Sequence, residues 1–154
     1  VIYSQERIGF RKRPFMLFKM RSMRMDAESA GPSLTVTNDE RVTPVGRFMR
    51  KYRLDEIPNL WNVMKGEMSI VGPRPERQYY IDQIIKQAPH YTLIHQVRPG
   101  LTSWGMVKYG YACDVSGMVE RLKYDILYLR NMSLSLDLRI IYHTLFTVIR
   151  GEGK

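Results

Sequence analysis

Two neighbouring carboxylates, Asp55 and Glu56, precede a loop in which one arginine stands between two prolines, Gly72-Pro73-Arg74-Pro75. An ionised carboxylate is a ligand for Mg²⁺ and can act as a nucleophile toward phosphorus. Adjacent acids repel each other, so a cation between them or an arginine close by is expected. An arginine whose backbone is stiffened by prolines loses little entropy when it binds an anion. These residues predict a site for a metal ion and a phosphorylated substrate.

A short helix must position the acid pair. Asp55 is predicted to be its N-cap, with Pro58 in the first turn and Gly66 at the C-terminal end. Its predicted buried face consists of apolar residues at helical spacing: Ile57, Leu60, Trp61 and Met64. Acids are also common at helix starts because they complement the helix dipole. Spacing alone favours this capping explanation over a chemical role.

The N-terminal residues predict a basic β-hairpin, with strands at residues 1–8 and 15–25 and a turn at residues 9–14. Lys19 and Arg21 are two apart and therefore share a strand face, which is suited to meet an anionic ligand. A solvated basic hairpin is the alternative. Arg50 and Arg53 lie at the end of a predicted helix over residues 44–53, where they can neutralise the acid pair or hold a phosphate.

The remaining pattern predicts an α+β fold, a mostly helical single domain over residues 1–154 with the N-terminal hairpin and short additional strands. We expect a poorly ordered loop at residues 26–43, strands at 67–71 and 104–109, and helices from Pro75 to Ala88 and at residues 115–132. A last helix runs to Arg150 and is either a core helix or an interfacial one. His90 and His95 have no second ligand at metal spacing, so they are predicted not to bind metal.

Composition narrows the class of partner. The 154 residues carry a net charge of +9, which indicates phosphate-bearing partners such as nucleotides, nucleic acid or lipid headgroups. Cys113 is the single cysteine, which excludes an internal disulfide and favours a reducing compartment. No apolar stretch is long enough to span a bilayer. Because the chain opens abruptly on Val1, we expect that its natural N-terminus is missing and that a membrane segment was removed with it.

Seven collinear segments resemble one family, the bacterial sugar transferases, which are monotopic phosphoglycosyl transferases acting on polyprenol phosphate. The segments are residues 5–9 (QERIG), 18–23 (FKMRSM), 41–50 (RVTPVGRFMR), 54–63 (LDEIPNLWNV), 68–76 (MSIVGPRPE), 97–102 (VRPGLT) and 123–125 (KYD). Each segment alone is a weak signal, but seven in order across most of the chain are a strong one. The resemblance covers the catalytic domain of the family.

The resemblance implies transfer of a sugar-1-phosphate from a UDP-sugar to polyprenol phosphate, the first step of bacterial glycan assembly. Asp55 would be the nucleophile that forms a covalent phosphosugar with release of UMP, and Glu56 would hold Mg²⁺, with Asp55 as a second metal ligand. Six further residues match positions expected to bind substrate or phosphate: Lys19, Arg21, Arg50, Arg74, Arg98 and Asp125.

The same resemblance implies a place at the cytoplasmic face of the bacterial inner membrane, with the membrane surface as a partner. A homodimer is a candidate assembly, and no nucleic acid is expected. The family carries a hydrophobic N-terminal segment that this chain lacks, so we expect a soluble fragment that works poorly on long-chain carriers. Two readings from other classes stay open on the residues alone: a basic nucleic-acid-binding module and a non-catalytic membrane-surface scaffold.

Overall fold

A computed structural model describes residues 2–29, 31–36 and 38–153. The predicted hairpin is present: β1 (Ile2–Ile8) pairs antiparallel with β2 (Pro14–Met20), placing Tyr3 opposite Lys19. Strand β2 ends five residues earlier than expected. Beyond it the chain leaves β1, and Met23 pairs instead with Val42 across the following loop.

Within the described residues, six α-helices follow the hairpin: α1 (Pro44–Lys51), α2 (Asn59–Met64), α3 (Gln78–Gln87), α4 (Trp104–Lys108), α5 (Val115–Arg130) and α6 (Leu134–Arg150). Strands β3 (Ser69–Val71) and β4 (Gly100–Thr102) form a small parallel pair. Short 3-10 helices cover Phe10–Lys12, Leu54–Glu56 and Pro89–Gln96. The predicted mixed α+β class, mostly helical with a hairpin and short strands, is confirmed.

One predicted helix start and one predicted strand are wrong, each for an identifiable reason. Helix α3 begins at Gln78 rather than at Pro75, because the backbone at Glu76 pairs with Ile8 at the end of β1 and stays extended. Residues 104–109 form helix α4 instead of a strand. Ser103 caps this helix by accepting a hydrogen bond from the Met106 N–H, the usual role of serine at a helix start.

The larger part of the core lies between α3, α5 and the 3-10 helix Pro89–Gln96, where Ile84, Tyr91 and Leu122 are buried together. Tyr128 and Ile140 form a second cluster between α5 and α6, against β3. No described helix combines the length and the apolar character needed to cross a membrane. The hairpin reaches the larger cluster through Ile8, the last residue of β1.

Helix α2 presents the opposite face to the protein from the one predicted. Its apolar side chains, from Leu60 at 43% to Met64 at 77%, are exposed, whereas Asn62 is fully buried. The Asn62 amide donates to the Met16 carbonyl and to Glu67, and its oxygen accepts from the Phe18 N–H. Because these bonds need the polar face inward, α2 is fixed against β2, and the hairpin is fixed beside the acid pair.

The loop of residues 21–43 is tied to the rest of the protein, except that its residues 30 and 37 lie outside the described part. Arg41 forms an ion pair with Asp39 and donates to the carbonyls of Ala27 and Leu34. Helix α1 packs directly on the start of this loop, since a Cβ at Gly46 would stand 2.0 Å from the Ser22 carbonyl oxygen. These contacts place the loop next to Asp55.

Candidate active site

A cavity of about 240 Å³ lies between the hairpin, α1, the acid pair and the loop of residues 21–35. Its walls carry eight basic side chains and four acidic ones. Six of the eight predicted site residues line this cavity: Lys19, Arg21, Arg50, Asp55, Glu56 and Arg74. The surplus of cations makes the cavity suited to an anion with more than one charge.

The acid pair lies in a separate 3-10 turn and not at the start of α2. Arg53 precedes this turn in the left-handed conformation, with φ at 54°, which costs about 1 kcal/mol or more for a residue with a side chain. Pro58, rather than Asp55, occupies the N-cap position of α2. The turn buries both carboxylates, Asp55 at 7% exposure and Glu56 at 4%. The predicted capping role of Asp55 is therefore wrong.

Glu56 is held by three cationic side chains. Its Oε1 accepts from Lys19 Nζ at 2.9 Å and from Arg74 Nη2 at 3.2 Å, and its Oε2 accepts from Arg53 Nη2 at 2.6 Å. Burial acts to raise the pKa of Glu56, but the charges of Lys19, Arg74 and Arg53 outweigh it and hold the pKa well below the usual range. Glu56 is therefore a fixed anion that orients three cations.

Asp55 differs from its neighbour, since no hydrogen bond or ion pair within the described residues engages its carboxylate. Burial raises the pKa of Asp55 above its ordinary value, and Glu56 acts in the same direction against Lys19 and Arg50. A buried carboxylate without a fixed partner is available for a ligand that enters the cavity. Metal binding and nucleophilic attack both require such an available carboxylate.

Arg21 and Arg50 supply further positive charge. Arg50 donates from Nε to the Ser22 hydroxyl at 2.8 Å, and burial lowers its pKa. The Nε of Arg21 is buried without a hydrogen-bond partner among the described residues, while its guanidinium lies 5.7 Å from the centre of the Tyr3 ring. Both arginines retain hydrogen-bonding capacity for a phosphate group.

Arg98 and Asp125 are not among the residues that line the cavity. Arg98 is exposed just before β4, at the point where that backbone packs against Gly72. Asp125 is buried beneath α4, where its carboxylate accepts from the Gly105 N–H at 2.9 Å. Asp125 therefore has a packing role at the start of α4. Neither Arg98 nor Asp125 lies where it could contact a ligand in the cavity.

The predicted set lacked an ion-pair network in the cavity wall, formed by Arg7, Glu76 and Arg121. Glu76 is buried and accepts from Arg7 at 3.1 Å and from Arg121 at 2.6 Å. These residues come from β1, the end of the proline loop and α5, and no local spacing connects them. Arg7 and Glu76 do fall within the family-like segments, and this position was the one feature of the sequence that could have identified them as site residues. Arg53, noted in the sequence as a neutralising charge, contacts Glu56.

Asp55 and Glu56 are two of the four acids that line the cavity, and the described residues contain no group of three or more His, Cys, Asp or Glu side chains that could hold a metal ion. This donor set is compatible with Mg²⁺, which commonly uses one or two carboxylates and completes its shell with substrate phosphates and water. The carboxylate of Asp55 fits that role. Glu56 fits less well, because each of its oxygens already accepts from a cation and one of these would have to move.

The α+β fold and the acid pair among many arginines are compatible with a protein that binds phosphorylated ligands. Sequence comparison narrows this class. The family described as Bacterial sugar transferase matches residues 1–151, and the chain belongs to that family.

Curated relatives carry specific names. The UDP-N-acetylgalactosamine-undecaprenyl-phosphate N-acetylgalactosaminephosphotransferase of Aeromonas hydrophila is 40% identical over 153 residues, which are 99% of this chain and 36% of that protein. A UDP-glucose:undecaprenyl-phosphate glucose-1-phosphate transferase of Xanthomonas campestris pv. campestris is 40% identical over 157 residues, covering 100% of this chain and 32% of the relative. The Escherichia coli K12 protein of that name is 36% identical over 148 residues, at 95% and 32% coverage. The chain thus spans about a third of these relatives.

Proposed function

We propose that this chain is the catalytic domain of a phosphoglycosyl transferase, which moves a sugar-1-phosphate from a UDP-sugar to polyprenol phosphate in two steps. The observation that carries the proposal is the contrast between the two acids. Glu56 is neutralised by three cations, while Asp55 beside it is buried and has no fixed partner among the described residues. The names of the relatives support the substrates. An available carboxylate surrounded by cations suits nucleophilic attack on a phosphate ester.

In the first step an oxygen of Asp55 forms a bond to the sugar-linked phosphorus of the UDP-sugar. The bond from that phosphorus to the bridging oxygen breaks, and UMP leaves with the electron pair. In the second step an oxygen of polyprenol phosphate attacks the same phosphorus, and the bond to Asp55 breaks. The products are polyprenol-diphospho-sugar and the free carboxylate. No proton transfer is required in either step.

The positive side chains supply most of what phosphoryl transfer needs, which is positioning and neutralisation of charge. We propose that Lys19 and Arg74, fixed by Glu56, face the diphosphate together with Arg21 and Arg50. Asp55 would hold Mg²⁺ with the substrate phosphates, and the ion would neutralise charge on those phosphates when bound. Glu56 already orients Lys19 and Arg74 before substrate arrives, so little reorganisation is needed.

The test is the variant Asp55→Asn, assayed for UMP release from a UDP-sugar with polyprenol phosphate and Mg²⁺. We expect no turnover and no phosphosugar adduct on the protein, because an amide cannot replace the carboxylate as nucleophile. Glu120→Gln is the matched control. It removes an exposed acid of α5 that pairs with the exposed Lys123, so it should leave turnover unchanged. An active Asp55→Asn variant would exclude Asp55 as the nucleophile.

We also propose that the domain rests on a membrane surface through its exposed apolar side chains. Two sets protrude: Val45, Phe48, Ile57, Leu60, Trp61 and Met64 on α1, α2 and the turn between them, and Leu134, Leu138, Tyr142, Leu145, Phe146 and Ile149 on α6. Exposed apolar surface of this extent on a basic domain suits an interface with anionic lipid.

Trp61→Ser together with Met64→Ser tests the membrane proposal. Since both side chains are more than half exposed, the fold should be unaffected, while binding to vesicles that contain anionic lipid should fall several-fold. The control is Lys86→Gln with Arg130→Gln, which changes exposed basic residues elsewhere. It separates the contribution of charge to vesicle binding from that of apolar contact. Vesicle binding that is unchanged in the serine variant contradicts the proposed contact surface.

A further inference from the structure

A second cleft, of about 410 Å³, lies between the tip of the hairpin and the 3-10 helix Pro89–Gln96. Its lining residues are Phe10, Arg11, Lys12, Thr92, His95 and Gln96, and it is called the tip cleft below. The extended chain between Lys12 and Lys19 separates the tip cleft from the cavity by about 20 Å. The reaction proposed for Asp55 therefore does not account for it.

The charge of the tip cleft is uncompensated. Arg11, Lys12 and Arg13 are consecutive and exposed, and the described residues include no acid in the lining and no ion pair to any of the three. The guanidinium of Arg11 lies 5.0 Å from the centre of the Phe10 ring, and its N–H groups have no anionic partner in the described part of the chain. A cleft that is lined by basic residues and by no acid attracts an anion.

The backbone of the tip adds a second observation. Arg11 and Lys12 both adopt the left-handed conformation, with φ at 54° and 60°. A turn with two such residues in succession favours Asn-Gly, because most other side chains adopt this conformation at a cost. Hydrogen bonds from the Lys12 N–H to the Gly9 carbonyl and from the Arg13 N–H to the Phe10 carbonyl hold the turn. Backbone geometry thus does not explain two basic residues here, whereas a charged ligand does.

His95 supplies the third observation. It lines the tip cleft with 7% of its surface exposed, and its Nδ1 has no hydrogen-bond partner among the described residues. Buried polar atoms without a partner are rare in folded proteins. The ring is held edge-on to Tyr91, with centroids 5.5 Å apart, so its orientation is fixed.

We propose that the tip cleft is a phosphate-binding site, in which Arg11 and Lys12 supply the charge and His95 forms the floor. The ligand is a phosphate group, and either a phospholipid headgroup or a phosphate in solution provides that chemistry. The site is separate from the active-site cavity and does not depend on the reaction proposed for Asp55.

Inorganic phosphate at constant ionic strength is the first probe, with the imidazole NMR signal of His95 as the readout. The signal should shift and saturate, whereas that of His143, which is exposed on α6, should not. Because the readout is local, phosphate bound near Asp55 does not contribute to it. No saturable shift of His95 would overturn the proposal.

The double variant Arg11→Asn with Lys12→Gly removes both charges and gives the turn its preferred residues. Phosphate affinity should fall about tenfold or more, the loss of at least one charge-assisted hydrogen bond. The melting temperature should be equal to or above that of the wild type, because strain is relieved. Lys86→Gln with Arg130→Gln lowers the net charge equally and should bind phosphate as the wild type does. Unchanged affinity in the tip variant, or a lower melting temperature, contradicts the proposal.

Vesicles distinguish the two sources of phosphate. If the ligand is a lipid headgroup, sedimentation with phosphatidylglycerol vesicles should fall in the tip variant and be competed by phosphate. If the ligand is a phosphate in solution, vesicle binding is equal in the two proteins while the His95 shift is still lost. Both results support a phosphate site in the tip cleft and differ only in what occupies it.

Discussion

Glu56→Gln tests whether a single buried carboxylate orients the cations of the cavity. Gln keeps the shape of the side chain but removes its charge, so Lys19, Arg53 and Arg74 lose their counter-ion. Their side chains are only 10–19% exposed, so water cannot replace the lost charge fully. Breaking a buried ion pair from one side costs about 3–5 kcal/mol. For a domain of this size a loss of about 3 kcal/mol lowers the melting temperature by about 6–12 °C.

Thermal unfolding at pH 7 measures this loss, with Glu120→Gln as the control. The Glu120 pair with Lys123 is exposed, so its removal should change the melting temperature by less than about 2 °C. Pyrophosphate should stabilise Glu56→Gln more than the wild type, because an anion in the cavity replaces the missing charge. A Glu56→Gln variant that melts as the control does would refute the view that Glu56 holds the three cations.

The difference between Glu56→Gln and the wild type should depend on pH in one direction. Burial opposes ionisation of Glu56, but Lys19, Arg74 and Arg53 hold its folded pKa well below the unfolded value of about 4.3. The ion pairs therefore stabilise the protein fully above that pH, and the stabilisation is lost as the pH falls through the folded pKa. We expect a constant difference in melting temperature between pH 5 and 8 and a narrowing one below pH 4.

Two further predictions concern buried polar residues outside the acid pair. Asn62→Ala leaves the Phe18 N–H without its partner and should destabilise the protein by about 2–3 kcal/mol in denaturant unfolding. Asn131→Ala, which changes an exposed residue, should have little effect. Equal effects of the two substitutions would contradict the anchoring role of Asn62. Burial raises the pKa of Asp125 to about 6, so its ionisation opposes folding as the pH rises from about 4 to 6, by up to about 3 kcal/mol. Asp125→Asn should therefore gain stability relative to the wild type between pH 4.5 and 7.5, and a difference that is the same at both pH values would contradict this account.

The fold was predictable where local pattern and packing agree. The hairpin, strand β3 and helices α5 and α6 follow from alternation or helical spacing, and the structure confirms them. Helix α2 shows the limit of this reasoning. Its spacing identifies two faces, but burial depends on Asn62, whose amide satisfies backbone groups of β2. A periodic pattern does not contain that long-range requirement.

The site was predictable in part for the same reason. Resemblance to the family selected six residues that the structure brings to one cavity, although their individual roles stay predictions. The network of Glu76 joins Arg7 and Arg121 across separations of 69 and 45 residues in the chain. Pairing over such distances is decided by packing of β1 and α5 against the proline loop. The local spacing of residues in the sequence does not predict it. Asp125 was predicted as a site residue because it lies in a family-like segment. In the structure it instead accepts a hydrogen bond from the Gly105 N–H at the start of α4.

The proposed reaction leaves the charge of the cavity unchanged between its two steps. When Asp55 attacks, its carboxylate charge is lost, and the phosphodiester that forms on it carries one negative charge in its place. The eight basic and four acidic side chains of the wall therefore present the same field to both substrates. In the proposed reaction a diphosphate enters first, and a phosphate monoester with a charge near −2 enters second. In this proposal Glu56 stays neutralised by the same three cations in both steps. One arrangement of arginines can therefore bind two anions that enter the cavity in turn. A two-step reaction in a single cavity requires this.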